Sequence, residues 1–282
     1  MLSASDDEAD SAEEMAEFRE EEDNRIRFSR LKLIAKSPAH YRYSSQRDTA
    51  AKDKGTAVHA FLKDQRVTFY PEKTKTGRSA PRNGAKWEQF EHDNADAMIL
   101  KASDYDDVQG MVESIHKHRR AMEVLTGVRE ETLSFDLLKL ACRTTADVRG
   151  DGFFTELKSS VSADPKRFRS QSFWMSYHAQ MALHRLGIKR AVKGSRPDAG
   201  FVVVVESSKP YPVTVFRMTE KAIQAGEKQI RLWMETLKGC LASDQWPPYA
   251  QSDVELDVLE NEEYELPGNA EPYTAENLPE GW

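Results

Sequence analysis

In Thr145-Ala-Asp147-Val-Arg-Gly-Asp151-Gly152-Phe-Phe-Thr-Glu156-Leu-Lys158, two carboxylates and an amine follow the pattern Asp, eight residues, Glu, one residue, Lys. Asp151-Gly152 between two strand-like runs is the signal for a two-residue type I′ hairpin loop. Such a loop pairs Gly150 with Phe153 and sets Asp147 opposite Glu156. Lys158 shares the face of Glu156, because side chains alternate along a strand. Three charged groups then gather on one face of a sheet. Two carboxylates buried side by side are unfavourable unless a cation neutralises them, and oxygen ligands suit Mg²⁺ or Mn²⁺. The plainer reading of the same residues is a solvent-exposed hairpin with a cross-strand ion pair.

Other residues bear on that chemistry. His59 lies in Gly55-Thr-Ala-Val-His59, on an apolar helical segment. Tyr177, Gln180 and His184 share one helical face by their i, i+3, i+7 spacing. Ser29 stands where it can cap a short helix, either as a plain N-cap or with its hydroxyl and nearby backbone N–H groups open to a phosphate. Lys166, Arg167 and Arg169 enter the helix that carries Gln180 and are candidates for phosphate contacts. Glu131, just before a strand, is a candidate ligand for a second metal ion, and its plainer reading is a solvated strand-end acid. Phe168, Phe173 and Trp174 read as core residues.

The elements that must position these groups follow from the periodicity. A short helix carries Leu31, Leu33 and Ile34 and stops near Ser37-Pro38. A second runs from about 56 to 65, residues 66–84 read as an exposed loop, and 87–125 as helical with a break near Ser103. The period then switches to strands at about 132–138, 143–149, 153–159, 200–206 and 213–217. A helix at about 168–186 separates the third strand from the fourth, and a last helix covers about 220–241. Only the strand–helix–strand step around 160–200 forces a crossover, so the sheet is mixed rather than doubly wound.

The 282 residues carry 40 Lys and Arg against 47 Asp and Glu, a net charge of −7, which taken whole argues against a nucleic-acid partner. The distribution reverses that. Residues 1–23 hold eleven acids and one base, and residues 251–282 hold ten acids and no Lys or Arg, so each end carries −10 and residues 24–250 carry +13. The chain divides into an acidic arm, 1–24, read as disordered, a basic domain, 25–250, and an acidic tail, 251–282. No apolar run is long enough to span a membrane, and the acidic start lacks the apolar stretch of a secretory signal. Two cysteines, Cys142 and Cys240, are too few for a disulfide framework, a four-cysteine zinc site or a cysteine-ligated iron–sulfur cluster.

Residues 25–249 resemble the PD-(D/E)XK nuclease superfamily, in its RecE-like and prophage exonuclease VIII-like branch of lambda-exonuclease-type recombination nucleases. The likeness rests on the Asp147–Glu156–Lys158 pattern and on Gly55 to His59, similar to a GxxxH segment. It also rests on Gln180, on Phe28-Ser29-Arg30-Leu31-Lys32 with Ser37-Pro-Ala-His-Tyr41, and on the ending Asp244-Gln-Trp246-Pro-Pro-Tyr249. The family often has Tyr four residues after the glutamine, and this chain has His184.

The resemblance implies a restriction-endonuclease-like α/β core, a mixed five-stranded sheet flanked by helices with an N-terminal helical elaboration. It implies metal ligands at His59, Asp147, Glu156 and the Leu157 carbonyl, with Glu131 as a further candidate. Asp147, Glu156, Lys158 and Gln180 would be catalytic, and Ser29, Lys166, Arg167, Arg169 and Tyr177 would contact DNA. The cofactor would be Mg²⁺, with Mn²⁺ as a substitute, in one or two ions per site. The activity implied is cytoplasmic, 5′ to 3′ digestion of one strand of linear duplex, leaving 3′ overhangs for a single-strand annealing protein, by a ring-shaped homo-oligomer. Two alternatives use the same residues: a catalytically silent DNA-end-binding protein, and a structure-specific endonuclease of the superfamily.

Overall fold

The computed structural model describes residues 25–44, 50–74 and 76–249; the acidic arm and tail lie outside the described residues. The chain opens with α1 (Phe28–Leu31), which tightens into a 3₁₀ turn at Lys32–Ala35, followed by α2 (Pro38–Tyr43) and α3 (Ala50–Leu62). Ser29 is inside α1 rather than at its cap, which is Arg27 and makes no side-chain capping bond. Ser37 is the true cap of this region. Its Oγ accepts from the His40 N–H at 3.2 Å, and Pro38 takes the first helical position, where it has no N–H to waste.

The stretch read as a loop contains β1 (Val67–Phe69), and α4 (Ala85–Asp93) is separated from later helix by β2 (Met98–Leu100), which pairs with β1 in parallel. Three-residue strands are too short to show a period, which is why neither was legible. The helical run then resumes as α5 (Ala102–Lys117) and α6 (Arg119–Val124). The break between them falls at His118, whose Nδ1 accepts from the Ala121 N–H at 3.1 Å.

The remaining elements are β3 (Val128–Arg129), β4 (Thr132–Leu137), β5 (Leu140–Thr145), β6 (Val148–Arg149), β7 (Phe153–Ser160), α7 (Pro165–Trp174), α8 (Tyr177–Ala191), β8 (Ala199–Glu206), β9 (Val213–Arg217) and α9 (Glu220–Ser243). Five strands form a mixed sheet in the order β3-β6-β7-β8-β9, with β7 and β8 parallel and the other pairs antiparallel. The parallel pair is the one bridged by helices α7 and α8, as a parallel connection requires. Strands β4 and β5 form a separate hairpin. The single helix expected over 168–186 is two, because Ser176 adopts a left-handed φ of +55° between them.

Strand β8 explains the layering. Its residues 200–205 are all buried, so both faces are covered. Phe201, Val203 and Val205 join a core with Ala57, Val58, Val108, Met111 and Leu157, on the α3–α5–α6 side. Val202 and Val204 join Phe154, Phe168, Met181 and Ile223, on the α7–α8–α9 side. A third core ties α1, the β4–β5 hairpin, α8 and α9 together through Leu31, Phe135, Leu183 and Trp233.

Helices α8 and α9 meet closely at Gly226. A Cβ there would fall against the His178 backbone carbonyl oxygen, well inside van der Waals contact. In an open helix Gly→Ala gains up to about 1 kcal/mol, whereas overpacking against backbone costs about 1–3 kcal/mol. Gly226→Ala is therefore expected to destabilise the protein, read as a lower urea midpoint at unchanged slope.

Candidate active site

The β6–β7 register is the one the sequence predicts. Val148 pairs with Thr155 and Arg149 with Phe154, and the Gly150 N–H donates to the Phe153 carbonyl at 2.9 Å. The turn is of another type. Gly152 has φ +75° but Asp151 is not in the positive region, so the loop is not type I′. Positive φ at both central residues occurs instead at Leu138 (+52°) and Lys139 (+68°), between β4 and β5.

Continuing the β6–β7 ladder would offer the Ala146 carbonyl to the Leu157 N–H. The ladder ends first, and Asp147 Oδ2 accepts that N–H at 2.6 Å. Asp147 sits in a bend between β5 and β6, and interruptions of this kind re-aim side chains. Asp147 is therefore drawn toward α3, where it lines one groove with His59, Glu130 and Lys158, while Glu156 pairs with Lys158 from the adjoining side.

On that side stands His59. Its Nδ1 is 3.3 Å from Asp147 Oδ1 and 3.7 Å from Glu130 Oε1, and its Nε2 is 3.0 Å from the Leu157 carbonyl oxygen. One donor atom each from His59, Glu130 and Asp147 lies within 4.8 Å of the others. Glu130 takes the place expected of Glu131. The pairs Val128–Arg149 and Thr132–Thr145 belong to one register, so Glu130 falls opposite Asp147 in the gap between the two ladders, and its N–H donates to the Asp147 carbonyl at 3.0 Å. Glu131 is instead held by Arg149 Nε at 2.6 Å. Two carboxylates and an imidazole form an oxygen-rich donor set that fits a divalent cation, and the Leu157 carbonyl stands against the ring's other nitrogen.

Glu156 occupies the adjoining half. Only 3% exposed, it accepts from Lys158 Nζ at 2.6 Å and Gln180 Nε2 at 2.9 Å through Oε2. His184 Nε2 stands 2.8 Å from Oε1, at ion-pair distance but without hydrogen-bond alignment, and His184 Nδ1 is 2.6 Å from Thr144 Oγ1. Burial alone would raise the Glu156 pKa, but Lys158 and then His184 outweigh it and hold the carboxyl ionised, well below the usual range. Burial alone would lower that of Lys158, and Glu156 and Asp147 outweigh this in turn, so the amine is an ammonium at neutral pH.

Lys158 and Tyr177 line two connected grooves, and Lys158 Nζ lies over the Tyr177 ring at 5.5 Å. One groove, about 500 Å³, holds His59, Glu130 and Asp147. The other, about 520 Å³, is lined by Ser29, Gln180 and His184 together with Arg27, Lys32 and Arg143. Ser29 and Tyr177 thus reach the site, while Lys166, Arg167 and Arg169 are exposed on α7 and line neither groove. Glu130, Arg27, Lys32 and Arg143 were missed. Lys32 alone had a signal, standing with Ser29 in the N-terminal segment already singled out.

Burial of His59 would lower its pKa, but Asp147 and then Glu130 outweigh it and raise it to about 10. The imidazolium must lose its proton to act as a ligand. Mn²⁺ binding at pH 7 is thus expected to release a proton, with affinity rising up to about tenfold per pH unit below that pKa. Calorimetry in two buffers of different ionisation enthalpy reads the proton directly. Glu130→Ala should weaken Mn²⁺ binding at least about tenfold and Glu131→Ala by less than about twofold; equal effects would remove Glu130 from the donor set.

Residues 27–254 match the family described as "PDDEXK-like domain of unknown function (DUF3799)". No curated protein matches the chain. Among solved structures, the crystal structure of a "Putative exonuclease" from Eubacterium rectale aligns with a TM-score of 0.59 at 12% identity, covering 86% of this chain and 92% of that one. The structure of SSO0001 aligns at 11% identity over 73% of this chain and 87% of that one, with a TM-score of 0.26, too low to bear on the fold. The likeness to the E. rectale structure is one of fold, and the match to the family spans most of the described residues. This chain belongs to the PDDEXK-like family, within the PD-(D/E)XK nuclease superfamily.

Proposed function

We propose that the protein is a Mg²⁺-dependent exodeoxyribonuclease that digests one strand of linear duplex DNA from its 5′ end and leaves a 3′ overhang. The observation that carries this is the convergence of His59, Glu130 and Asp147 in a groove that shares Lys158 and Tyr177 with a cation-lined one. Burial, and then the neighbouring Lys158 and Lys36, lower the pKa of Lys32 in the second groove. Burial says nothing of the sign of the local field, but the two lysine contributions are like-charge repulsion, which a phosphodiester in the groove relieves.

His59, Glu130 and Asp147 would hold the first ion, with Glu156 available to it or to a second; Mn²⁺ would substitute for Mg²⁺. A bound divalent ion polarises the phosphoryl oxygen and assists attack by water. Lys158, an ammonium paired with Glu156, orients that water and neutralises charge on the phosphoryl oxygens; it is not a base while the pair persists. Gln180 fixes the Glu156 carboxylate through its amide N–H. Ser29 and Lys32 face the phosphate groove, and Ser29 does so as a groove residue rather than as a helix cap.

The exonuclease reading is supported by the resemblance to RecE-like enzymes and by the likeness to the E. rectale "Putative exonuclease". It carries with it a single-strand annealing partner, a ring-shaped oligomer and a cytoplasmic setting. No helix among the described residues is long and apolar enough to cross a membrane.

Linear duplex with Mg²⁺ should lose one strand, while a covalently closed circle stays intact; cutting of the circle would make the enzyme an endonuclease. Asp147→Ala and Glu156→Ala should abolish hydrolysis and retain DNA binding, since an acid facing phosphate repels it when no metal intervenes. Near-normal rates in either variant would overturn the site. Duplexes carrying the 5′-phosphate on one strand only, resolved by strand, read the polarity.

A further inference from the structure

Helix α7 buries one apolar residue, Phe168, and leaves Lys166, Arg167, Arg169, Phe173 and Trp174 exposed. Phe173 is 51% exposed, Trp174 67% and Met175 43%, against the expectation that the two rings belong to the core. The reason lies in the helix spacing. Phe173 and Trp174 fall five and six residues beyond Phe168, which places them about 140° and 240° around the axis from the buried position. That outer surface also carries Lys166, Arg167 and Arg169, all exposed. By i, i+4 and i+7 spacing, Phe173 stands above Arg169 and Lys166, and Trp174 above Arg167. Two rings interleaved with three cations form the face of α7.

The rings are held in a defined arrangement. Phe173 stacks on His178 at 6.3 Å with an interplanar angle of 10°, and Trp174 meets Phe173 edge-on at 5.7 Å and 79°. The chain then turns at Ser176, whose left-handed φ of +55° is uncommon for a residue with a side chain. This turn leads directly from the exposed rings into the groove: Met175 and Tyr177, on either side of it, line the same groove as Lys158, Gln180 and Ser29. The aromatic surface is continuous with the candidate active site.

We propose that Trp174, supported by Phe173, is a stacking platform for an unpaired nucleobase, with Lys166, Arg167 and Arg169 contacting the backbone of the same strand. This rests on the nuclease reading and extends it to how the strand is held outside the groove. Single-stranded nucleic acid is the polymer that this pairing of surfaces fits, since its backbone meets cations while every base offers a π-face. Stacking needs no base-specific hydrogen bond, so the platform tolerates sequence. The cations of α7 thereby gain a role that their distance from the grooves denies them in hydrolysis.

The test measures binding of single-stranded oligonucleotides, dT and dA tracts alike, without divalent metal, so that no hydrolysis enters. A 2-aminopurine placed along the strand reports stacking. Trp174→Ala should weaken binding about five- to 150-fold and remove the 2-aminopurine quenching, and Trp174→Phe should restore most of both. Leu232→Ala, another exposed apolar residue, on α9, serves as the surface control. Wild-type affinity and quenching in Trp174→Ala would overturn the proposal. So would a change in sedimentation with DNA affinity intact, which would make the face a protein interface. Because this readout needs no metal, a wild-type protein that binds strands here but cleaves no linear duplex when Mg²⁺ is supplied refutes the nuclease reading and leaves the platform standing.

Discussion

Two carboxylates, Asp147 in the bend before β6 and Glu156 on β7, are buried close together. Burial and then the charge of Glu156 raise the Asp147 pKa, and Lys158 acts on both. Charges so withdrawn from water cost several kcal/mol each, of order, unless paired and hydrogen-bonded. Asp147 is met by the Leu157 N–H and by His59. Glu156 is met by Lys158, Gln180 and His184. The first set needs the sheet ladder to stop one step early and α3 to lie against β7. The second needs α8 to lay its polar face on the same strand. Helix placement on both sides of the sheet thus answers to two side chains.

Much of this was readable because the informative residues are local. Asp151-Gly152 gave the β6–β7 register even though the turn is not type I′, since a two-residue loop of any type imposes the same pairing. His59 and Gln180 announced themselves by motif. Glu130 did not, because its position depends on the other hairpin, whose turn is made by Leu138 and Lys139 in left-handed conformations that neither residue type advertises. Without that register Glu130 and Glu131 could not be told apart. Trp174 was misjudged for a different reason. An aromatic residue on a helix is usually buried, and only the break at Ser176 settles which turn of that helix meets the core.

The role of charge changes between sequence and structure. Summed over 282 residues it is −7, a figure that says nothing about where a phosphate could sit. Within the folded domain Arg27, Lys32 and Arg143 come from two distant stretches of chain and line one groove with Lys158. The cations visible in a single run, Lys166 to Arg169, lie on the outer surface of α7 instead. Sequence clustering marked the accessory surface, and tertiary folding assembled the central one.

Helix α3 carries more than a ligand. Lys54, a little over one turn before His59, reaches Asp107 at 2.5 Å and Asp104 at 3.2 Å on α5, and Gly55 leaves space for the Ser159 hydroxyl of β7. The same helix is thus clamped to the helical layer at one point and to the central sheet at the next. A donor set split between His59 on this helix and Asp147 and Glu130 on the sheet behaves as a clasp. An ion held there would couple its binding free energy to the docking of the helical layer on the sheet.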